Sequence, residues 1–461
     1  MKGIHIFKSV KSKIYPYLYA RQDHILSKQN DILGKQETLL NVQEKLSNQC
    51  AELLEKSEIE KKSIDSLYQS INMIASETRF KDKIRCVFLV HNIEAWANLH
   101  AVYEEMLNDE TFQPTVISIQ RRYPGAETYQ DEEKNHQGLA RLNVKHIRFN
   151  DADSFADLQI LKAIAPHVIF RQSHWEPDVP PAFRTEHIGF AKLYYLSYGI
   201  APIAEHAMMF LSTYYHNMCS KIFLSSQEVY ELVKDYNKRN DRRLVVTGHP
   251  KVNFLLHAKP SWPISSGNDF KVIWSAHHSI GRGWNDFGVF PDVYEPMLRL
   301  AQTHQDVDFL FSPHPALITT LAALRGEPKE RIDLFFTAWN GLPNTGIIDN
   351  GEYQGVFKSS DLLIVDGLSF LIEYQLVNKP ILFLDRAGRA KFNAFGKIVE
   401  AGVHNLKPTE FDKIAQYIQY FKQGGQDDKR ENQKKLIALL TRESTPEKNI
   451  VAEIKRDFVC D

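Results

Sequence analysis

Residues suited to phosphate binding lie together in one short stretch of the chain. Residues 362–365 form an apolar run, and Asp366, Gly367 and Ser369 follow it directly. An apolar run that ends in a polar, glycine-containing turn is typical of a buried strand that leads into a helix. Backbone N–H groups and a hydroxyl at such a helix start suit a phosphate group. The stretch therefore predicts a site for a phosphorylated nucleotide, and it makes an enzyme the first hypothesis.

Histidines follow two other predicted strands. His174 stands just past the run at residues 168–172, and His277 and His278 follow the run at residues 271–275. Parallel α/β folds place their ligands at the carboxyl ends of strands. We therefore expect these side chains to face a ligand.

The sequence predicts neither a metal site nor a cofactor. The 18 histidines show no H-E-x-x-H spacing, and the four cysteines lie far apart without C-x-x-C spacing. Asp151 and Asp153 form a D-x-D pattern, but Asp153 precedes a helix-like run and is expected to cap it. The expected chemistry therefore needs no metal.

The composition narrows the class of protein. The chain has 461 residues, with 56 basic and 57 acidic side chains and a net charge of −1. This balance removes the electrostatic reason to expect nucleic acid as a partner. No apolar run approaches the roughly 20 residues that span a bilayer, so we expect neither an integral nor a secreted protein. The isolated cysteines fit a reducing, cytoplasmic location.

Two sets of short apolar strands alternate with helical stretches. The predicted strands are Ile84–His91, Pro114–Ile119, Val144–Phe149, His167–Gln172, Leu193–Tyr198, Lys221–Ser225, Leu244–Thr247, Lys271–Ser275, Asp308–Phe311, Leu362–Val365 and Ile381–Leu384. We predict an N-terminal Rossmann-like domain at residues 80–258, a turn-rich linker at 259–268, a C-terminal Rossmann-like domain at 269–407 and helices at 408–461. Two such domains with a cleft between them form the α/β architecture called GT-B.

A heptad pattern precedes the first domain. Apolar residues recur every seven positions at Ile25, Ile32, Leu39, Leu46, Leu53, Leu67 and Ile74. Such a seam predicts an N-terminal coiled-coil helix over residues 22–79, with a homo-oligomer assembled through residues 22–76. A helix folded back on the globular part is the alternative.

Residues 1–21 form a basic segment rich in apolar and aromatic side chains, and they include no acidic residue. Such a segment can lie on an anionic membrane surface, and an oligomer would multiply several weak anchors. We therefore expect a basic amphipathic tail that holds the protein peripherally at the inner face of a bacterial plasma membrane. A disordered or packed tail is the alternative.

Four motifs resemble one known family in their order and spacing. They are Gly248–Asn253, Ile273–His278, Phe311–Pro315 and the block from Ser360 to Pro380. Together they resemble the CDP-glycerol glycerophosphotransferases, which are the teichoic acid and capsule polymerases. The resemblance covers roughly residues 84 to 400 and implies a GT-B fold with a CDP-linked donor.

The resemblance also implies roles for single residues on the donor side. It implies that His314, Asp366 and Ser369 hold the donor diphosphate, with Gly367 in the same turn. Phosphate contacts are expected from His277, His278 and Arg282, which lie where the family has its own phosphate-binding pattern. A carboxylate accepts from ribose hydroxyls in many GT-B enzymes, and Glu373 could take that role. The family usually has a second serine where this chain has Leu368.

On the acceptor side, the resemblance implies that His174 is the general base. The family has a Trp-His-Gly motif after a comparable strand, whereas this chain has the order His174, Trp175, Glu176. A histidine suits this role because its pKa lies near neutrality. Glu176 and Asp178 are rival bases.

Simpler structural interpretations stay open for several of these residues. Asp366 and Ser369 could cap a helix, and Glu373 could be a solvated helix residue. The histidines could be ordinary loop or turn residues.

The resemblance and the motifs lead to one functional hypothesis with two alternatives. We expect a metal-independent transferase that moves a glycerol or polyol phosphate or a sugar from a nucleotide-activated donor to a cell-surface glycan or lipid-linked acceptor. The first alternative is a UDP- or CMP-sugar glycosyltransferase, or a sugar-nucleotide epimerase, on the same fold. The second is a non-catalytic coiled-coil scaffold of a glycan-synthesis complex.

Overall fold

The computed structural model describes residues 27–28, 34–35, 41–49, 83–123, 126–151, 153–205, 211–235, 241–281, 285–323, 329–348 and 353–458. The predicted basic tail at residues 1–21 and most of the predicted coiled coil at residues 22–79 lie outside these ranges. Within the coiled-coil segment, residues 41–49 are helical. Arg282 also lies outside the described residues.

Seven parallel strands form the first sheet. They are β1 (Ile84–Val90), β2 (Phe112–Ile119), β3 (His146–Phe149), β4 (Val168–Arg171), β5 (Lys192–Leu196), β6 (Cys219–Leu224) and β7 (Leu244–Val246). Their order across the sheet is β3-β2-β1-β4-β5-β6-β7. Residues 86–90 of β1 are all buried. Near-continuous apolar strands such as this one require cover on both faces, which explains the helices on either side.

Four of the seven helices described in this half are capped by a side chain at their N-terminus. The seven are α1 (Ala97–Leu107), α2 (Glu132–Arg141), α3 (Ser154–Ile164), α4 (Thr185–Ile188), α5 (Tyr214–Met218), α6 (Gln227–Val233) and α7 (Pro250–Leu256). The Asp153 side chain accepts a hydrogen bond from the backbone N–H of Phe155 and caps α3. The capping interpretation of the D-x-D pattern is therefore confirmed.

Six parallel strands form the second sheet. They are β8 (Phe270–Ala276), β9 (Val307–Pro313), β10 (Thr345–Ile347), β11 (Leu362–Val365), β12 (Ile381–Leu384) and β13 (His404–Leu406). Their order is β10-β9-β8-β11-β12-β13. The accompanying helices are α8 (Phe290–Thr303), α9 (Leu317–Ala323), α10 (Lys329–Asn340), α11 (Tyr353–Ser359), α12 (Ser369–Glu373), α13 (Ala394–Glu400) and α14 (Asp412–Lys422). The expected α/β class with two Rossmann-like parallel sheets is confirmed.

The chain returns to the first sheet after completing the second. Helices α15 (Arg430–Leu440) and α16 (Pro446–Arg456) follow α14. Ile450 and Ile454 of α16 are fully buried and belong to the same apolar cluster as Phe88 of β1. Full burial of each such side chain contributes about 1.5–3 kcal/mol, so α16 is an integral part of the first half.

The two halves also meet directly. The Asn393 side chain donates to the carbonyl oxygens of Pro202 and Ala204 at 3.0 and 3.2 Å. Phe392 and Phe395 share an apolar cluster with Ile203. These contacts join the loop after β5 to the start of α13. None of the described helices is long and apolar enough to cross a bilayer.

Both sheets reverse their strand order beside their first strand. The reversal lies between β1 and β4 in the first sheet and between β8 and β11 in the second. In open α/β sheets, ligands bind in the crevice at the carboxyl ends of strands at such a reversal. The residues that follow these strands are therefore the ones to inspect.

Candidate functional site

Three histidines meet at the carboxyl ends of β8 and β9. His277 and His278 follow β8, and His314 follows β9, its neighbour in the sheet. One ring nitrogen of each lies within 4.8 Å of those of the other two. The rings of His278 and His314 stack with their centroids 4.0 Å apart. We call these three residues the histidine cluster, and all three were selected from the sequence.

The hydrogen bonds around this cluster assign the ring protons. The backbone N–H of Ala316 donates to Nδ1 of His314 at 3.1 Å, and that of Ser279 donates to Nδ1 of His277 at 3.2 Å. A neutral imidazole that accepts at Nδ1 carries its proton on Nε2. Nε2 of His277 and of His314 is therefore an N–H donor, and it has no lone pair to offer.

The same three rings are neutral at pH 7. Burial lowers the pKa of His277 to about 3 and that of His278 to about 4, and it holds the pKa of His314 well below its usual value. A metal ion would need deprotonated ring nitrogens that face one another. Neutral N–H donors instead suit the oxygens of an anion such as phosphate. As the rings are hydrogen-bonded, the histidine cluster fits a phosphate group better than a metal.

Arg121 approaches the histidine cluster from the first sheet. It follows β2, and its backbone exchanges two hydrogen bonds of 2.8 Å with Gln130. After burial, its positive charge is the next cause that lowers the pKa of His278, and it also contributes to the shift of His314. Nε of Arg121 is buried and has no hydrogen-bond partner among the described residues. An anion between Arg121 and the cluster would satisfy this donor.

Asp366 fixes the backbone on which the histidine cluster stands. Its two carboxylate oxygens accept from the backbone N–H groups of His277 and Val289 at 2.6 and 2.7 Å. Burial raises the pKa of Asp366 to about 7, although these bonds oppose the shift. The expectation that Asp366 itself meets the diphosphate stays a prediction, and a ligand would have to compete with these two backbone N–H groups for the carboxylate.

Gly367 and Ser369 occupy different positions around the same turn. A Cβ atom on Gly367 would lie 3.3 Å from Cδ2 of His277, so glycine lets that ring pack closely. Ser369 is exposed at the first position of α12. The N-cap position is Leu368, and no side chain caps this helix. The interpretation of Asp366 and Ser369 as caps of α12 is therefore wrong, and the Ser369 hydroxyl faces solvent.

Glu373 is buried and paired across the two halves. Its Oε1 lies 2.7 Å from Nζ of Lys251, and its Oε2 accepts from the hydroxyl of Tyr353 at 2.5 Å. The Glu373 side chain is 1% exposed. The interpretation as a solvated helix residue is thus wrong. Ribose hydroxyls would have to compete with Lys251 and Tyr353 for this carboxylate, so the ribose contact stays a prediction.

His174 lies within the core of the first half. Nδ1 is 3.0 Å from the hydroxyl of Tyr195, and the ring lies 4.7 Å from that of His216. Burial lowers the pKa of His174 to about 3, and the nearby Arg171 adds to this shift. A base this weak, enclosed by other aromatic rings, is poorly suited to take a proton from an acceptor. The role of His174 as general base stays a prediction, which its burial and lowered pKa do not favour.

Glu176 is committed to a structural ion pair. Its oxygens lie 3.0 and 3.2 Å from the guanidinium nitrogens of Arg171, which is 1% exposed. They also accept from the backbone N–H and the hydroxyl of Thr185. Burial alone would raise the pKa of Glu176, but Arg171 and Thr185 lower it below its usual value. The role of Glu176 as a base stays a prediction, which its engagement with Arg171 and Thr185 does not favour.

Asp178 is the best placed of the three predicted bases. It is partly exposed, and the Ser173 hydroxyl donates to its Oδ2 at 2.7 Å. Burial raises the pKa of Asp178 above its usual value, against the opposing charge of Arg121. The backbone N–H of Arg122 donates to the carbonyl oxygen of Asp178 at 3.0 Å, so Asp178 lies beside the segment that carries Arg121.

The fold is shared with solved structures at low sequence identity. The S. aureus MnaA–UDP structure matches with a TM-score of 0.55 at 12% identity, over 82% of this chain and 98% of that chain. UDP-GlcNAc 2-epimerase from Neisseria meningitidis bound to UDP-GlcNAc matches with 0.50 at 13%, over 80% and 99%. The wall teichoic acid polymerase TagF with CDPG matches with 0.51 at 13%, over 86% and 98%. The chain has a GT-B-like fold.

This similarity extends to the fold alone. No protein-family model matches the chain, and no curated protein sequence matches it. Within the GT-B-like frame, the histidine cluster belongs to the second sheet, and Arg121 and Asp178 belong to the first. The histidine cluster could be selected from the sequence because its residues follow β8 and β9, and Asp178 because it lies in the loop after β4. Sequence reasoning missed Arg121, which also follows a strand, because no recognised motif marks it.

Proposed function

We propose that the protein is a GT-B transferase that binds a nucleotide-activated donor between the histidine cluster and Arg121. The observation that carries this proposal is that neutral N–H donors of one sheet lie within electrostatic range of a guanidinium that follows a strand of the other sheet. A diphosphate needs several donors that converge on it, and here they come from two rigid sheets. The donor is a nucleotide-linked sugar or polyol phosphate, and the acceptor is a cell-surface glycan.

In the proposed reaction, Asp178 takes the proton from the acceptor hydroxyl. The acceptor oxygen forms a bond to the reacting atom of the donor, which is an anomeric carbon or a phosphorus. The bond from that atom to the phosphate oxygen of the leaving nucleotide breaks, and its electron pair stays on that oxygen. The histidine cluster and Arg121 stabilise the resulting negative charge.

Thermal-shift measurements test the donor site. A ligand that binds the folded state raises its apparent stability, so we expect a shift with CDP-glycerol, CDP-ribitol, a UDP-sugar or a CMP-sugar. The variant His314→Asn should lose this shift. His304→Asn is the matched control, because His304 precedes β9 at the opposite edge of the same sheet. If no donor shifts the wild-type protein at millimolar concentration, the scaffold hypothesis is favoured.

Analysis of the product separates the enzymatic alternatives. A transferase releases the nucleotide only as the group moves to an acceptor or to water, whereas an epimerase returns a sugar nucleotide with inverted configuration at one carbon. Nucleotide release followed by chromatography therefore distinguishes the two. Recovery of an epimerised donor with no free nucleotide would reject transfer.

We further propose that residues 22–76 assemble the protein into a homo-oligomer and that residues 1–21 contact an anionic membrane at its cytoplasmic side. Removal of residues 1–76 should abolish both oligomerisation and retention on vesicles that contain anionic lipid. Donor binding should persist. Sedimentation, vesicle flotation and the thermal shift measure these three properties separately.

A further inference from the structure

Tyr198 presents an exposed aromatic ring at the carboxyl edge of the first sheet. It lies two residues beyond β5, and its side chain is 44% exposed. Desolvation of its hydroxyl raises the pKa of Tyr198. The charge of Arg121 opposes this shift, and the charge of Asp178 adds to it. Both charged side chains therefore lie near this ring. Tyr198 belongs to the same side of the cleft as the proposed base.

The backbone that carries this ring is held by buried polar side chains. The carbonyl oxygen of Ser197 accepts from Nδ2 of Asn98 at 3.1 Å and from Nε2 of His249 at 2.8 Å. The carbonyl oxygen of Tyr198 accepts from Nζ of Lys251 at 3.2 Å. Asn98 and His249 are each 1% exposed. Such a frame fixes the ring position before any ligand arrives, which lowers the entropy cost of binding.

Exposed aromatic side chains are common and carry no meaning by themselves. Tyr420 on α14 is 50% exposed, and its hydroxyl donates to the carbonyl oxygen of Gln426. What distinguishes Tyr198 is the combination of a backbone fixed by buried side chains, an exposed side chain and a position just past a strand at the carboxyl edge of the sheet. Sugar rings offer flat faces of C–H groups that pack on aromatic rings, and their hydroxyls bond to polar neighbours.

We propose that Tyr198 is the platform on which a sugar ring of the acceptor stacks. This inference rests on the proposed function and adds the chemical class that the acceptor presents at the site. In the proposed function the donor phosphates lie between the histidine cluster and Arg121, which leaves Asp178 and Tyr198 of the first half to meet the acceptor. There, Asp178 is placed to take the proton from a hydroxyl of the stacked sugar.

Binding of the full-length chain to an array of bacterial surface-glycan fragments tests the platform, with the donor thermal shift measured on the same samples. Tyr198→Ala should bind the recognised glycans about tenfold more weakly and keep the donor shift. Tyr198→Phe keeps the ring and should bind within about twofold of the wild type. Tyr420→Ala is the control for loss of an exposed tyrosine and should bind like the wild type.

Three results would overturn the inference. They are wild-type glycan binding by Tyr198→Ala, loss of the donor shift with glycan binding retained in that variant, and absence of glycan binding by the wild-type chain. The second result would assign the ring to the nucleotide. Failure of the proposed function is a separate result, because it means that the wild-type chain shows no donor shift at all.

Discussion

Replacing Lys251 by methionine removes the positive partner of a buried carboxylate. Nζ of Lys251 lies 2.7 Å from Oε1 of Glu373, with side-chain exposures of 8% and 1%. The same nitrogen donates to the carbonyl oxygen of Tyr198. Methionine keeps most of the length and apolar surface of the lysine stem, so the change acts mainly on charge and hydrogen bonding.

The expected cost follows from the charge that remains. Removing one partner of a buried ion pair leaves the other charge uncompensated and costs about 3–5 kcal/mol. The bond from Tyr353 still supports Glu373, but a neutral hydroxyl does not replace a cation. The double variant Lys251→Met with Glu373→Gln removes both charges and keeps an acceptor for Tyr353. It should recover most of the loss, because replacing both charges of a buried pair is often nearly neutral.

Urea unfolding at pH 7.5 measures these free energies through the linear extrapolation. Lys434→Met is the control, because Lys434 forms an exposed pair with Glu431 whose side chains are 58% and 76% exposed. That change should cost no more than about 0.5 kcal/mol. The reasoning is refuted if Lys251→Met costs less than about 1 kcal/mol, or if the double variant is less stable than the single one.

Three further predictions concern the site. Burial raises the pKa of Asp366 to about 7. The contribution of this group to the free energy of unfolding is therefore fully present below about pH 4 and is lost as the pH rises to 7. In urea unfolding, Asp366→Asn should lack this decline of stability with pH. Gly367→Ala pushes on His277 and should weaken donor binding several-fold by calorimetry, whereas Gly341→Ala, whose Cβ would meet its nearest atoms at 3.5 Å, should not. Asp178→Asn should lower transfer by about 10²–10⁴-fold with the donor shift kept, and the wild-type rate should fall with decreasing pH through a pKa above the usual value for Asp; an unchanged rate would exclude Asp178 as the base.

Most strands of both sheets could be predicted because buried strands appear in the sequence as continuous apolar runs. Strands β11 (Leu362–Val365) and β12 (Ile381–Leu384) have the bounds that the sequence predicts. Strands β10 and β13 were missed. Each has only three residues and contains half-buried or exposed positions at a sheet edge. Without a continuous apolar run, the pattern of a buried strand is absent.

The site was predictable only where its residues follow strands in the same sheet. The histidine cluster could be selected because β8 and β9 are neighbours. The proposed roles of Arg121 and Tyr198 depend on how the two sheets face each other, and no local sequence pattern predicts that arrangement. The pair of Lys251 and Glu373 joins residues that are 122 positions apart. The local sequence placed Glu373 on a helix but could not predict that Lys251 is its partner.

The two sheets share one hydrogen-bond arrangement at their strand-order reversals, in which a side-chain oxygen accepts from the backbone that follows the first strand. In the first sheet, Oε1 of Gln172 accepts from the backbone N–H groups of His91 and Asn92, both at 3.0 Å. In the second sheet, Asp366 accepts from the backbone N–H of His277. In each sheet the side chain just after the fourth strand in chain order accepts from the backbone that follows the first strand. The two strands are β4 and β1 in the first sheet, and β11 and β8 in the second.

This correspondence supports a positioning role for Asp366. A neutral amide performs the same task in the first sheet, so the task needs an acceptor and not a charge. The carboxylate of Asp366 adds a second acceptor, which Val289 uses at 2.7 Å. One side chain thereby holds the loop after β8 at two points and fixes the backbone of His277. In the proposed function, the motif that first indicated phosphate binding therefore acts through the histidine that it positions.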